Sequence, residues 1–286
     1  MSPTESGMPS QAFAGRGSVR PQPWSWSRYV AIGDSFTEGM CDLDPQAPGH
    51  FVGWADRLAA LLAPHTEQEF GYANLAVRGR MLTRIAGEQT ASALELKPDL
   101  VSIVGGGNDI LRPRADLDSL AAQLEDAVVR LRATGADVLM ATPTDPRDAP
   151  VIKATRGRMA IYSAHIWKIA QRHGCYVLNQ WSLDFLRDWR MWAQDRIHMT
   201  SEAHRRVALA AYATLGHDPA DADWAVPLPP EPAPGRLEVI RDNAEWARSH
   251  AGPWVARRFQ GRSSGDAVLP KRPQVTPLVG SRPPSQ

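Results

Sequence analysis

Five short apolar runs punctuate the chain: YVAI (29–32), YANLAV (72–77), DLVSIVG (99–105), ADVLMAT (136–142) and CYVLN (175–179). None shows the clean apolar–polar alternation of a strand with one wet face, so each reads as a strand buried on both sides. Segments of helical period lie between them. GWADRLAALLA begins at Gly53 and stops at Pro64. After Pro113, Leu117, Leu120, Leu124, Val128 and Leu131 share one helical face that ends by Gly135. A further helix is expected from Ala154 to His173, and a last core helix from Thr200, a natural N-cap, to Gly216. Buried strands alternating with helices point to an α/β fold, a five-stranded parallel sheet covered by crossover helices.

The rest of the chain divides around this core. Residues 1–27 form a polar leader that Trp24 and Trp26 can dock, and residues 28–217 carry the sheet. From 218 to 286 come a Pro-rich connector (PLPPEPAPG, 227–235), a helical extension and a tail. In the extension Leu237, Ile240, Ala244 and Trp246 or Ala247 are available to dock. Thirty-two basic against 31 acidic residues give a net charge of +1, which argues against nucleic acid or an anionic membrane as the main partner. No signal-type apolar segment and no stretch of about 18 apolar residues occurs, so no stable membrane anchor and a cytoplasmic location are expected. Cys41 and Cys175 match no metal spacing and are expected to be reduced thiols; oligomeric state is left open.

The chemistry-bearing residues sit where the expected strands end. Ser35, in GDSFTEG, follows the first strand, at the carboxyl edge where ligands bind in open parallel sheets. A serine hydroxyl becomes a nucleophile only with a base, a group that orients the base and donors for an oxyanion. In IVGGGNDI, Asn108 follows three glycines at the end of the third strand and carries an uncharged donor. In DRIHMTSEAH, Asp195 precedes His198 by three residues, a spacing that lets the carboxylate hold one imidazole nitrogen while the other faces Ser35. Asp34 and Asp109 read as braces of the loops carrying Ser35 and Asn108, and Glu38 as an acid favouring a helix N-terminus. Ser263, at the centre of GRSSG, fits a nucleophile elbow but lacks the preceding strand and reads as tail.

Taken together, these segments resemble the SGNH hydrolase superfamily, also called GDSL esterases and lipases. GDSFTEG corresponds to its first block, NLAVRG to its second, Gly106 to Asp109 to its third, and Asp195 with His198 to its fifth. The resemblance covers about residues 28–216 and implies a three-layer flavodoxin-like fold. It also implies a Ser35–His198–Asp195 triad, with an oxyanion hole from the backbone of Ser35 and Gly79 and the Asn108 amide. A small acyl or acetyl ester is the implied substrate, with no cofactor and no metal. One departure stands out: where the family's fifth block usually continues to a glycine, Ala203 and His204 occur here. Similarity to a subgroup with a Trp-rich, PKRP-containing C-terminal extension implies that residues 236–277 pack back on the core.

Three other readings stand beside the esterase. An acyltransferase would use the same triad with a different acceptor. A binding protein could retain the fold without reactivity. A metal hydrolase would need Asp195, His198 and His204 as ligands, although His198 and His204 are six residues apart and no second acidic cluster completes the set. The tryptophans just before Asp195, Trp189 and Trp192, are candidates to line an acyl or sugar pocket.

Overall fold

The computed structural model describes residues 25–66, 69–149, 152–232, 235–246, 248–249 and 265–278. Strands β1 (Arg28–Ile32), β2 (Phe70–Asn74), β3 (Leu100–Ile103), β4 (Asp137–Ala141) and β5 (Tyr176–Leu178) fall within or beside the five apolar runs. They form a parallel sheet, and β1 lies at its centre between β2 and β3. Each is buried along nearly all its length, which is why none shows alternation.

The sheet has a sixth strand. β6 (Arg272–Leu278) runs antiparallel beside β2, giving the order β5-β4-β3-β1-β2-β6. The sequence reads as tail here, and Pro273 and Pro277 cannot donate to a ladder. At an edge, however, a strand needs donors on one side alone, so prolines are tolerated. Lys271, just before β6, donates to Phe51 O (3.0 Å) and also meets Val52 O and Asp56, tying this late segment to the core. Docking of the C-terminal part on the core thus includes a strand the sequence did not announce.

The helices, in chain order, are α1 (Ser35–Glu38), α2 (Gly53–Leu62), α3 (Leu82–Arg84), α4 (Thr90–Glu95), α5 (Gly107–Ile110), α6 (Leu117–Arg132), α7 (Arg156–His173), α8 (Ser201–Thr214) and α9 (Arg236–Trp246). A π-helical turn, Ile85–Gln89, joins α3 to α4. This β2–β3 crossover has no counterpart in the sequence reading. Its Gly87 and scattered threonines blur the helical period there.

Two apolar layers sandwich the sheet. On one face Trp54 and Leu58 of α2 and Val207 and Ala211 of α8 pack on Tyr29, Tyr72 and Leu139. On the other, Leu124 and Val128 of α6 and Ile166 and Ile169 of α7 pack on Val30, Ile103 and Val138. Successive strand residues face opposite layers, so a buried parallel strand must be apolar at nearly every position. Thr200 caps α8 as expected, accepting from Ala203 N. No helix among the described residues is long and apolar enough to cross a membrane.

After β1 the chain crosses to β2 on one side, then returns past β1 to β3 on the other. The carboxyl ends of β1 and β3 therefore flank the point where the winding reverses, and a crevice opens there. Ser35 and Asn108 are the groups that this topology brings to it.

Candidate active site

Gly33 directly follows β1, and its geometry shows why the turn there needs a residue without a side chain. A Cβ there would come within 2.6 Å of Thr37 Oγ1 and 2.7 Å of Val104 O. Its backbone is held by an unexpected residue: Gly33 N–H donates to Gln89 Oε1 (2.7 Å), and Gln89 Nε2 donates back to Gly33 O (3.0 Å). Gln89 belongs to the π-helical turn and is buried. No local sequence signal marks it, because its partner is 56 residues away.

Asp34 caps α1, accepting from Phe36 N at 3.1 Å, and its other oxygen accepts from Asn108 Nδ2 at 3.3 Å. Burial pushes its carboxyl up to about 6, against the opposing effects of the Phe36 bond and the nearby His198. Ser35 is the first residue of α1, so its N–H is among those a helix leaves without an intrahelical partner. Asp109 accepts from Leu82 N at 3.0 Å and so ties the β3 loop to the crossover.

Asn108 Nδ2 also donates to Arg80 O at 3.2 Å, so the amide spans from Asp34 to the loop that carries Gly79. Gly79 itself has φ +71°, a conformation that side chains disfavour. Glu38 takes a different part from the one expected of an acid in the first turn of a helix. It is 4% exposed, and its carboxylate accepts from Arg78 N (2.6 Å) and from the Arg78 guanidinium. The last residue of α1, the helix that Ser35 begins, thereby clamps the residue next to Gly79.

Asp195 and His198 come from a tight loop. Trp192 and Met199 form an antiparallel bridge across it, and Ala193 N donates to His198 O at 2.8 Å. Inside, Asp195 Oδ1 accepts from the backbone of Ile197 and His198 (3.0 Å each), and Oδ2 lies 2.6 Å from His198 Nδ1. Burial works against charge on both partners, yet the Asp195–His198 hydrogen bond and ion pairing outweigh it. The Asp195 carboxyl is held down to about 2 and the His198 imidazole is pushed up to about 9, with Cys41 adding to the latter.

His204 stands apart from this pair. Among the described residues, the group of three potential metal ligands is Cys41, Asp195 and His198, without His204. His204 Nδ1 instead accepts from Trp54 N (3.2 Å), Nε2 donates to Met40 O (3.3 Å), and the ring stacks on Phe36. Burial drives its pKa down to about 4, consistent with a neutral ring that accepts at one nitrogen and donates at the other. His204 thus fastens α8 to α2 and to the segment after α1.

Ser35, Asn108 and His198 line one cavity of about 260 Å³. Its walls are mostly apolar and include Met40, Leu111, Ile152, Met159, Trp189 and Trp192. The C-terminal extension also reaches it through Trp246 of α9. Trp246 Nε1 donates to Asp195 O at 2.8 Å, and the Arg196 guanidinium lies against both Trp189 and Trp246 while bonding Asn243 Oδ1. Of the α9 residues expected to dock, Leu237 and Ile240 are instead exposed, at 81% and 64%. Ser263, Trp24 and Ala247 lie outside the described residues. The two cysteines are free thiols.

The model of the GDSL-like Lipase/Acylhydrolase family matches residues 31–206, more than half of the chain. The chain belongs to this family. It is a carboxylic ester hydrolase. Among solved structures it is similar to LAE5, an alpha/beta hydrolase enzyme from the metagenome of Lake Arreo, Spain, at 25% identity and TM-score 0.56. That match covers 67% of this chain and 96% of the other. It shares its fold with Axe2, an acetylxylan esterase from Geobacillus stearothermophilus (21% identity, TM-score 0.54, 68% and 96% covered). TesA gives 24% identity and TM-score 0.55, with 66% and 97% covered. Comparison with curated proteins gives no match.

Proposed function

We propose that this family member hydrolyses small carboxylic esters with an apolar acyl group through a Ser35–His198–Asp195 triad. The observation that carries this reading is the 2.6 Å Asp195–His198 pair opening on the same cavity as Ser35. Ser35 attacks the ester carbonyl as His198 takes its proton, while Asp195 fixes the imidazole tautomer. The protonated His198 then gives its proton to the leaving alcohol, and water repeats the cycle to release the acid. Backbone N–H groups of Ser35 and Gly79 and the Asn108 amide receive the oxyanion. Asp34 and Asp109 hold the loops that carry these donors. Axe2 variants described as catalytic mutants, one at a serine and one at a histidine, support the choice of Ser35 and His198.

In the resting state Asn108 Nδ2 is shared between Asp34 and Arg80 O, both at more than 3.1 Å. Such long bonds leave the amide ready to turn toward a stronger, charged acceptor. Asn108→Ala is expected to lower kcat by about 10²–10³-fold, or ~3–4 kcal/mol, with little change in KM. Steady-state kinetics on p-nitrophenyl butyrate would measure it, and an unchanged kcat would remove Asn108 from the oxyanion hole.

An apolar cavity of about 260 Å³ favours acyl chains longer than acetyl. The proposal is tested by a p-nitrophenyl ester series from acetate upward, together with fluorophosphonate labelling mapped to Ser35. Equal kcat/KM along the series would refute the apolar acyl site, and labelling elsewhere would refute the nucleophile. Trp246→Ala is expected to lower kcat/KM for the longer esters about tenfold more than for acetate, because it removes one apolar wall.

The acyl enzyme can also pass its acyl group to an alcohol, so transferase activity with the same residues is the second reading. Its sign would be a partition to ester product when an alcohol acceptor is supplied.

The pH profile follows from the acid–base pair. His198 acts as a base only when neutral, and its pKa is pushed up to about 9 by Asp195 and Cys41. At pH 7 about one molecule in a hundred carries neutral His198, so kcat/KM is expected to climb roughly tenfold per pH unit and level off above about pH 9. The groups facing the ring are Asp195, Cys41 and, across the cavity, Asp34. The linked stability runs the other way: ion pairing with His198 stabilises the fold fully below the ordinary histidine range and is lost as pH rises through about 9. A flat profile between pH 7 and 9 would contradict the assignment.

A further inference from the structure

We propose that Cys41, His198 and Asp195 form a binding site for a thiophilic divalent cation of the zinc and cadmium class, and that the bound ion arrests the esterase. The binding half stands on the donor geometry alone, and the arrest rests on the triad proposed above.

Cys41 lies just past α1, six residues after Ser35. Its φ is +71°, a conformation uncommon for a residue with a side chain. The thiol so placed comes within hydrogen-bonding reach of the His198 imidazole. One ligand atom from each of Cys41, Asp195 and His198 lies within 4.8 Å of the others, and all three residues are partly exposed, so an ion can enter from solvent.

Thiolate, imidazole and carboxylate together suit zinc or cadmium, whereas magnesium and calcium prefer oxygen donors alone. With metal–ligand bonds of about 2.0–2.3 Å, tetrahedral ligands sit roughly 3.3–3.8 Å apart, so side-chain adjustments of about an ångström complete the site. A water fills the fourth position. One thiolate and one carboxylate neutralise the ion's two charges, which keeps the desolvation penalty low.

Binding releases the thiol proton to solvent, and a second proton when His198 starts as imidazolium. The ion takes the lone pair of one imidazole nitrogen, Nδ1 or Nε2, and the ring's remaining proton resides on the other. In either case Nε2, protonated or metal-bound, has no lone pair to accept a proton from Ser35, so acylation stops. No bond is oxidised or reduced, and a chelator restores the starting state.

The second thiol supplies a control. Cys175 is buried, burial pushes it up to about 12, and it belongs to no such cluster among the described residues.

The test is titration of the chelator-treated full chain with cadmium chloride, following thiolate-to-metal charge-transfer absorption, with zinc inhibition of p-nitrophenyl butyrate hydrolysis measured in parallel. The expected result is a saturable band at one ion per chain, present in Cys175→Ser, absent in Cys41→Ser and Cys41→Ala, and weakened about tenfold or more in Asp195→Asn. Zinc inhibition should be reversed by chelator, need about tenfold more ion in Cys41→Ser, and have no counterpart with magnesium. A band that persists in both Cys41 variants, or none in the parent chain, would overturn the site. Equal zinc inhibition of parent and Cys41→Ser would overturn the arrest. Cadmium binding by a chain with no esterase activity would uphold the site and instead refute the triad.

Discussion

Ser35→Ala is expected to lower kcat by about 10⁴–10⁶-fold, about 5–8 kcal/mol of transition-state stabilisation, while KM and the unfolding transition stay near their parent values. The loss is this large because the variant lacks the hydroxyl that the proposed mechanism uses for attack. Cys41 shares the base but does not line the cavity that Ser35 and Asn108 share, so it cannot take over attack on a bound acyl group. The fold should tolerate the change. Asp34 caps α1 through Phe36 N, and Gly33 is held by Gln89; neither bond uses the Ser35 side chain. Circular dichroism and thermal melting of the variant, beside its rate on p-nitrophenyl butyrate, separate a lost nucleophile from a lost fold. Turnover within tenfold of the parent would reject Ser35.

Asp195→Asn should reduce kcat by about 10⁴-fold at neutral pH. The substitution is selective because Asp195 uses its two oxygens differently. Oδ1 accepts from the backbone of Ile197 and His198, a role an asparagine oxygen retains, whereas Oδ2 bonds Nδ1 of the imidazole. An amide nitrogen in that second place donates rather than accepts, which turns the ring to the wrong tautomer. The raised pKa of His198 depends on Asp195, so the variant's imidazole should titrate below the parent's value of about 9. NMR titration of the histidine ring protons measures that shift directly. A full rate with an unmoved titration would mean that Asp195 is only a structural partner of the loop.

Much of this architecture could be read from the residues. Unbroken apolar runs marked the five central strands because a parallel strand meets a packed layer on each face, and composition records that double burial. The Leu120–Leu124–Val128–Leu131 stripe marked α6 for the analogous reason, since one face of it packs on the sheet. Ser35, Asn108, Asp195 and His198 stood out as candidates in the same way, through strand-end and loop motifs with local signatures; the structure places Ser35, Asn108 and His198 on one cavity, and their roles are proposals.

Other features depended on distant partners and had no such signature. β6 contains two prolines and mostly exposed residues, and becomes a strand because β2 offers it an unpaired edge. Glu38 looked like a helix-favouring acid, but Arg78 arrives from beyond β2 to claim it. Gln89 and His204 likewise acquire their roles only when the backbones of Gly33, Trp54 and Met40 come near.

The sequence by itself determined the layered α/β core and the strand-end segments that hold the proposed site residues, because burial periodicity and strand-end motifs act over a few neighbouring positions. The tertiary structure alone decided which groups meet. It set Cys41 beside His198, Trp246 against Asp195 O, and Asn108 between Asp34 and Arg80. Such contacts join chain segments tens to hundreds of residues apart, and their ångström-scale distances follow from packing rather than from spacing along the chain.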